Sequence, residues 1–146
     1  MHSKKITGFR YFLLCQEFGK GNSVKMLEKV RGKKIGIYLR KEETNEDLNK
    51  GGLGRLKWLQ FELECNQHKD NVYINVYIDE VNKTDKLNQT IEAVEKGKIE
   101  ALVIWSVEDI DITRVGDLVR TCINKGTTIA SFCESEEWIN RVSMYI

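Results

Sequence analysis

Four short apolar runs rich in β-branched and aromatic residues recur along the chain: Lys34–Leu39, Val72–Ile78, Ala101–Trp105 and Thr127–Phe132. Their length and composition predict strands. The first and third are almost unbroken apolar stretches, as central parallel strands become when helices cover both faces. Helix-period segments lie between them. Leu53–Cys65 carries Leu56, Leu59, Phe61 and Leu63; Leu87–Lys96 carries Leu87, Ile91 and Val94; Val115–Asn124 carries Val115, Leu118, Val119, Cys122 and Ile123. Gly97 and Gly126 follow the last two segments, where a left-handed residue closes a helix. The resulting order, β-α-β-α-β-α-β, predicts an α/β three-layer sandwich around a mostly parallel sheet of four to five strands.

Residues 1–31 stand outside this alternation and form a separate arm. Phe9–Phe18 and Ser23–Val30 each suit a short helix, the second with Ser23 as N-cap and Gly32 as its stop. Gly51-Gly52-Leu53-Gly54 precedes a helix as a phosphate loop would. It does not follow a strand directly and lacks the Gly-Lys-Ser/Thr ending, so a flexible hinge is the expectation.

A chain of 146 residues that is 41% hydrophobic and 31% charged is one soluble domain in size and composition. Net charge is +1, which alone gives no reason to expect a polyanionic partner. Its distribution changes that picture: residues 1–34 hold nine Lys/Arg against Glu17 and Glu28, a local +7 on an otherwise acidic body. Such an arm either folds back onto that body or meets nucleic acid. The four cysteines (Cys15, Cys65, Cys122, Cys133) have no zinc-like spacing and suit a reducing, cytoplasmic setting. Cys122 and Cys133 sit in apolar stretches and are expected in the core. The run Tyr11–Cys15 is too short for a signal-peptide core or a membrane span. No cofactor and no metal are expected.

Particular strand ends add chemistry. The first strand ends in Tyr38-Leu39-Arg40-Lys41-Glu42 and the second in Tyr77-Ile78-Asp79-Glu80. The third is introduced by Gly97-Lys98-Ile99-Glu100 and reads Leu102-Val103-Ile104-Trp105; Asp117-Leu118-Val119 then leads through Lys125-Gly126 to Ser131-Phe132-Cys133-Glu134. In order and spacing, residues 34–134 resemble the catalytic domain of the serine recombinases, the resolvase/invertase family. The resemblance implies a resolvase-like fold over residues 32–146. It also implies that DNA strand exchange through a 5′-phosphoserine link is the family activity. The family continues after its Ser-Leu-x-Glu motif into a long dimerisation helix and a DNA-binding domain. Against that pattern the chain is expected to be truncated, with Trp138, Ile139, Val142, Met144 and Tyr145 forming a short apolar helix.

Carried over residue by residue, the resemblance assigns Tyr38, Arg40, Glu42, Asp79 and Glu108 to the site. Tyr38 and Arg40 keep the family's residue types, but the nucleophilic serine becomes Glu42. Two arginines become Asp109 and Ile112, the family's acid becomes Glu108, and the loop arginine falls near Thr84 after Asn82-Lys83. A carboxylate is a poor nucleophile for a phosphodiester and repels it. Positive donors around the phosphate carry much of such catalysis, and removing one can cost about 10²–10³ in rate. The positions Arg40, Glu42, Asp79, Thr84, Glu108, Asp109 and Ile112 hold one positive and four negative charges. Thr44, Lys86 and Arg114 are the nearest substitutes for the lost groups.

The leading expectation is therefore a recombinase-like domain without catalysis, a mobile-element or phage-derived remnant or an association module. Its partners would be a second copy or a full-length recombinase, with DNA contact weak or absent and no membrane contact. The alternatives are an active strand-exchange fragment using Thr44, and a nucleic-acid-binding module using the basic arm. For Arg40 a plainer role is a strand-end ion pair with Glu42 or Glu108.

Overall fold

A computed structural model describes residues 30, 32–50, 54–65, 73–134 and 137–143. The expected helix Phe9–Phe18, and Ser23–Val30 apart from Val30, lie outside these described residues. Strands β1 (Lys34–Arg40), β2 (Tyr73–Asp79), β3 (Ala101–Ile104) and β4 (Thr128–Ser131) alternate with helices α1 (Arg55–Cys65), α2 (Asp85–Glu95) and α3 (Val115–Lys125). A 3-10 turn, Val107–Asp109, follows β3, and α4 (Glu137–Ser143) follows β4. From residue 34 onward the predicted strands and helices are present, with ends displaced by one or two residues: β1 runs on to Arg40 and β2 to Asp79, while β4 is shorter than Thr127–Phe132.

All pairings are parallel, and the strand order is β2-β1-β3-β4. The chain thus moves one way from β1 to β2, then reverses across β1 to β3 and β4. Parallel crossovers keep one hand, so a reversal of direction requires the connecting helices to change face. They do. Leu56, Leu59 and Leu63 of α1 pack with Ile35, Ile37 and Leu39 of β1 and with Ala101, Val103 and Trp105. Leu87, Ile91 and Val94 of α2, with Leu118, Val119 and Cys122 of α3, pack on Tyr38, Leu102, Ile104 and Ile129 from the other side. The period-two alternation along β1 and β3 therefore feeds two separate cores. Trp138 of α4 joins the second, and Val30 joins the first.

Gly97 and Gly126 adopt φ of 73° and 68°, as expected after α2 and α3. Gly54 serves differently from the hinge expected of its segment; Gly51, Gly52 and Leu53 lie outside the described residues. The Gly54 amide donates to the Lys50 carbonyl at 2.8 Å, and its carbonyl accepts from the Trp58 amide at 3.0 Å. A β-carbon there would stand 2.3 Å from the Leu48 carbonyl oxygen, and backbone cannot swing aside as a side chain can. Close approach, rather than flexibility, explains this glycine. Gly54→Ala should destabilise the fold by about 1–3 kcal/mol, the usual range for overpacking a closed site, as measured by urea unfolding.

Candidate functional site

The carboxyl ends of β1 and β3 meet where the strand order reverses, the place at which open parallel sheets form ligand crevices. β1 ends at Arg40, and the loop beyond it carries Glu42 and Glu46. The turn after β3 carries Glu108 and Asp109, and α1 opens below with Arg55.

Arg55 organises the site. Its side chain is fully buried. Nε donates to Glu46 Oε2 at 3.0 Å, and Nη1 donates to Asp109 Oδ1 at 3.0 Å and Oδ2 at 2.9 Å. Nη2 donates to the Arg40 carbonyl at 2.7 Å and to Glu46 Oε1 at 3.1 Å. A guanidinium has five N–H donors, and these five bonds commit them. Glu42 Oε1 lies 3.8 Å from Nε. The Glu42 amide donates to Glu46 Oε1 at 2.7 Å, so the loop after β1 wraps the same carboxylate. Burial pulls the Arg55 pKa down, but Asp109, Glu46 and Glu42 together carry it above its ordinary value. For Asp109 the balance differs: burial pushes its carboxyl up to about 6, and Arg55 opposes this only in part.

Tyr38 and Asp79 meet on the second core. The Tyr38 hydroxyl donates to Asp79 Oδ2 at 2.7 Å. Asp79 also accepts the Lys86 amide at 2.7 Å and the Leu87 amide at 2.9 Å, which ties the end of β2 to the first turn of α2. Burial, then the bond to Asp79, raises the Tyr38 pKa. Glu134 performs a parallel task beyond β4. It accepts from Ser106 Oγ at 2.9 Å and the Val107 amide at 2.9 Å, and also from Ser131 Oγ, clasping the turn after β3.

All five site residues expected from the sequence thus lie at one edge of the sheet, but they divide among separate contacts. Arg40 Nη2 reaches the backbone carbonyl of Glu108 at 3.3 Å, rather than the Glu42 or Glu108 carboxylate expected for it. Beside it, Arg40, Val107, Glu108, Ile110, Asp111, Ile112 and Val115 line an open hollow of about 490 Å³. Ile112, which the resemblance sets at an arginine position, is 86% exposed there. Of the nearest substitutes, Arg114 pairs with Asp117 at 2.6 Å, Lys86 Nζ faces Gln89 at 3.4 Å, and Thr44 is exposed. Cys122 is buried as expected and its thiol is pushed up to about 12 by burial, whereas Cys133 is only half-buried. Among the described residues, no group of three or more His, Cys, Asp or Glu could hold a metal ion. No helix among them is long and apolar enough to cross a membrane.

Arg55 and Glu46 were not among the expected site residues. A signal for Arg55 exists, since Arg55, Leu59 and Leu63 are four apart and share one helix face. That face is the buried one. Comparison with protein-family models and with curated proteins finds no match.

Two outcomes follow from the cluster. Arg55→Met would leave Asp109 and Glu46 without their counterion and should cost roughly 3–5 kcal/mol in urea unfolding. The second concerns pH. The folded state holds a proton on Asp109 up to about pH 6, while the unfolded chain releases it near the ordinary value of 3.8. The stability owed to this group is therefore greatest in acid and declines as pH rises through about 6. Relative to Asp109→Asn, the wild-type chain should lose up to about 1.4 kcal/mol per pH unit across that window and show no further relative change above it. A flat difference between the two proteins would show that Asp109 ionises at its ordinary value.

Proposed function

We propose that this chain is a serine-recombinase-like domain that keeps a resolvase-type scaffold without the strand-cleaving chemistry, and that it acts by association with a second copy or with a full-length recombinase. The observation that carries this reading is the coordination of Arg55. The resemblance assigns the nucleophile to Glu42 and one phosphate-binding arginine to Asp109, and both acids face the same buried guanidinium.

A phosphodiester attacked at this edge would need a hydroxyl in line with the leaving oxygen and free positive donors around the phosphate. Arg55 spends its donors on Glu46, Asp109 and the Arg40 carbonyl. Among the described residues that line the hollow Arg40 is the one cation, and Glu108 and Asp111 line it too. The local balance favours a closed ion-pair cluster over a bound phosphate. The same cluster gives the acidic replacements a structural purpose, because they neutralise a cation that could not be buried alone.

Incubation of the purified chain with supercoiled DNA bearing paired recombination sites should give no protein–DNA adduct that survives denaturation. Glu42→Ser alone should give none either, since a hydroxyl at that position would lack the missing arginines, and the donors of Arg55 are held by Glu46, Asp109 and the Arg40 carbonyl. A 5′-linked adduct with the wild-type chain would overturn the reading.

A further inference from the structure

The two outer strands of the sheet are unequal. β4 spans only Thr128–Ser131, with Ile129, Ala130 and Ser131 buried, and Lys33 Nζ donates to Thr128 Oγ1 at 2.8 Å. β2 spans Tyr73–Asp79, and its register with β1 runs unbroken from Lys34 opposite Tyr73 to Arg40 opposite Asp79. Among the described residues, no strand pairs with the other side of β2.

The ladder decides which backbone groups face that side. The Lys41 amide donates to the Asp79 carbonyl at 3.0 Å, so Asp79 turns toward β1. Successive residues of a strand send their amide and carbonyl to opposite sides. Asn75 and Tyr77 therefore bond to β1 as Asp79 does, while Ile74, Val76 and Ile78 present their backbone groups to the outer edge. Folded proteins ordinarily guard such an edge with lysine, proline or a bulge. Ile74-Asn75-Val76-Tyr77-Ile78 has none of these. Val76 at its centre is 36% exposed, while Ile74 and Ile78 pack partly against the first core.

The edge is also symmetric. From Val76, either direction along the strand meets a residue bonded inward and then an isoleucine that faces outward. Laid antiparallel against a second copy about Val76, the strand sets Val76 opposite its own counterpart and Ile74 opposite Ile78. Each such pair exchanges both N–H···O bonds, and opposed β-branched residues are favourable cross-strand neighbours. Asn75 comes opposite Tyr77, so no like charges meet within the segment. The hollow beside Tyr77 is lined by both signs, Glu92 with Lys96 and Lys98, so no single-sign field opposes its copy there.

We propose that β2 is the self-association surface of this domain: two copies join their β2 edges antiparallel about Val76 into one continuous sheet. This rests on the association reading above and names the surface for it. An extended peptide of another protein would also find open backbone groups here, but the two-fold arrangement of Ile74, Val76 and Ile78 fits a second copy. The pairing occupies both β2 edges and leaves only the short β4 edges outside, so assembly closes at two.

Sedimentation velocity of the full chain over a dilution series should show a concentration-dependent dimer. Val76→Lys puts two ammonium groups directly opposite each other and should raise the dimer dissociation constant roughly tenfold or more. Val76→Thr keeps the β-branch and should leave it within about twofold. Residues in such a pair stand about 5.5 Å apart at Cα, inside the span of a disulfide. Mild oxidation should therefore link Val76→Cys chains through position 76, as read by peptide mapping. Ile112→Cys chains should stay unlinked through position 112, although that position is 86% exposed. If Val76→Lys fails to fold, the Val76→Cys crosslink decides. A dimer unaffected by Val76→Lys, or Ile112→Cys chains that link as readily as Val76→Cys chains, overturns this surface while leaving association with a second copy standing. A wild-type chain that stays monomeric overturns that association as well. Assemblies that grow without limit overturn the closed two-fold pairing.

Discussion

A guanidinium removed from water must be met by carboxylates and carbonyls, because an uncompensated buried charge costs several kcal/mol even after relaxation. Arg55 imposes that requirement where β1 and β3 end, at the loop after β1 and the turn after β3. It draws Glu46, and with it the Glu42 backbone, from the loop after β1. It draws Asp109 from the turn after β3, and holds the Arg40 carbonyl where β1 stops. Two segments far apart in sequence, the end of β1 with its following loop and the turn after β3, are fixed by one side chain at the start of α1. Carboxylates crowd around it, so a proton on Asp109 relieves part of their repulsion, and burial of that acid sets the pH at which it leaves.

The same arrangement decides what the crevice offers chemically. An arginine that faced outward would stabilise an incoming phosphate; an arginine with every donor committed inward cannot. The second cluster at this edge, Tyr38 with Asp79, is likewise bound to structure, since Asp79 also holds the first amides of α2.

Much of the fold is legible in residue pattern. Alternation in Ile35, Ile37 and Leu39 against Tyr38 puts two cores on two faces, and the glycines after α2 and α3 mark where those helices stop. Strand ends are less legible, because Arg40 and Asp79 are polar residues that the ladder carries for one more pair, Arg40 opposite Asp79. Gly54, the described glycine of the segment before α1, is hard to read from composition for a related reason. The segment's composition suggests freedom, while Gly54 is set by the Leu48 carbonyl packed against it.

The sequence by itself determined the alternating α/β order, the parallel sheet and the acidic residue types at Glu42, Glu108 and Asp109. Periodicity and side-chain chemistry are local properties and can be read locally. Only the tertiary structure decided what those acids do. The neighbouring cation Arg40 suggests a local pair for Glu42, but the counterion that Glu42 and Asp109 share is distant from both, since Arg55 lies thirteen residues beyond the first and fifty-four before the second. The strand reversal at β1 brings both to the first turn of α1. There the cost of burying charge makes a closed cluster of an edge that, on residue type alone, would be an acidic surface.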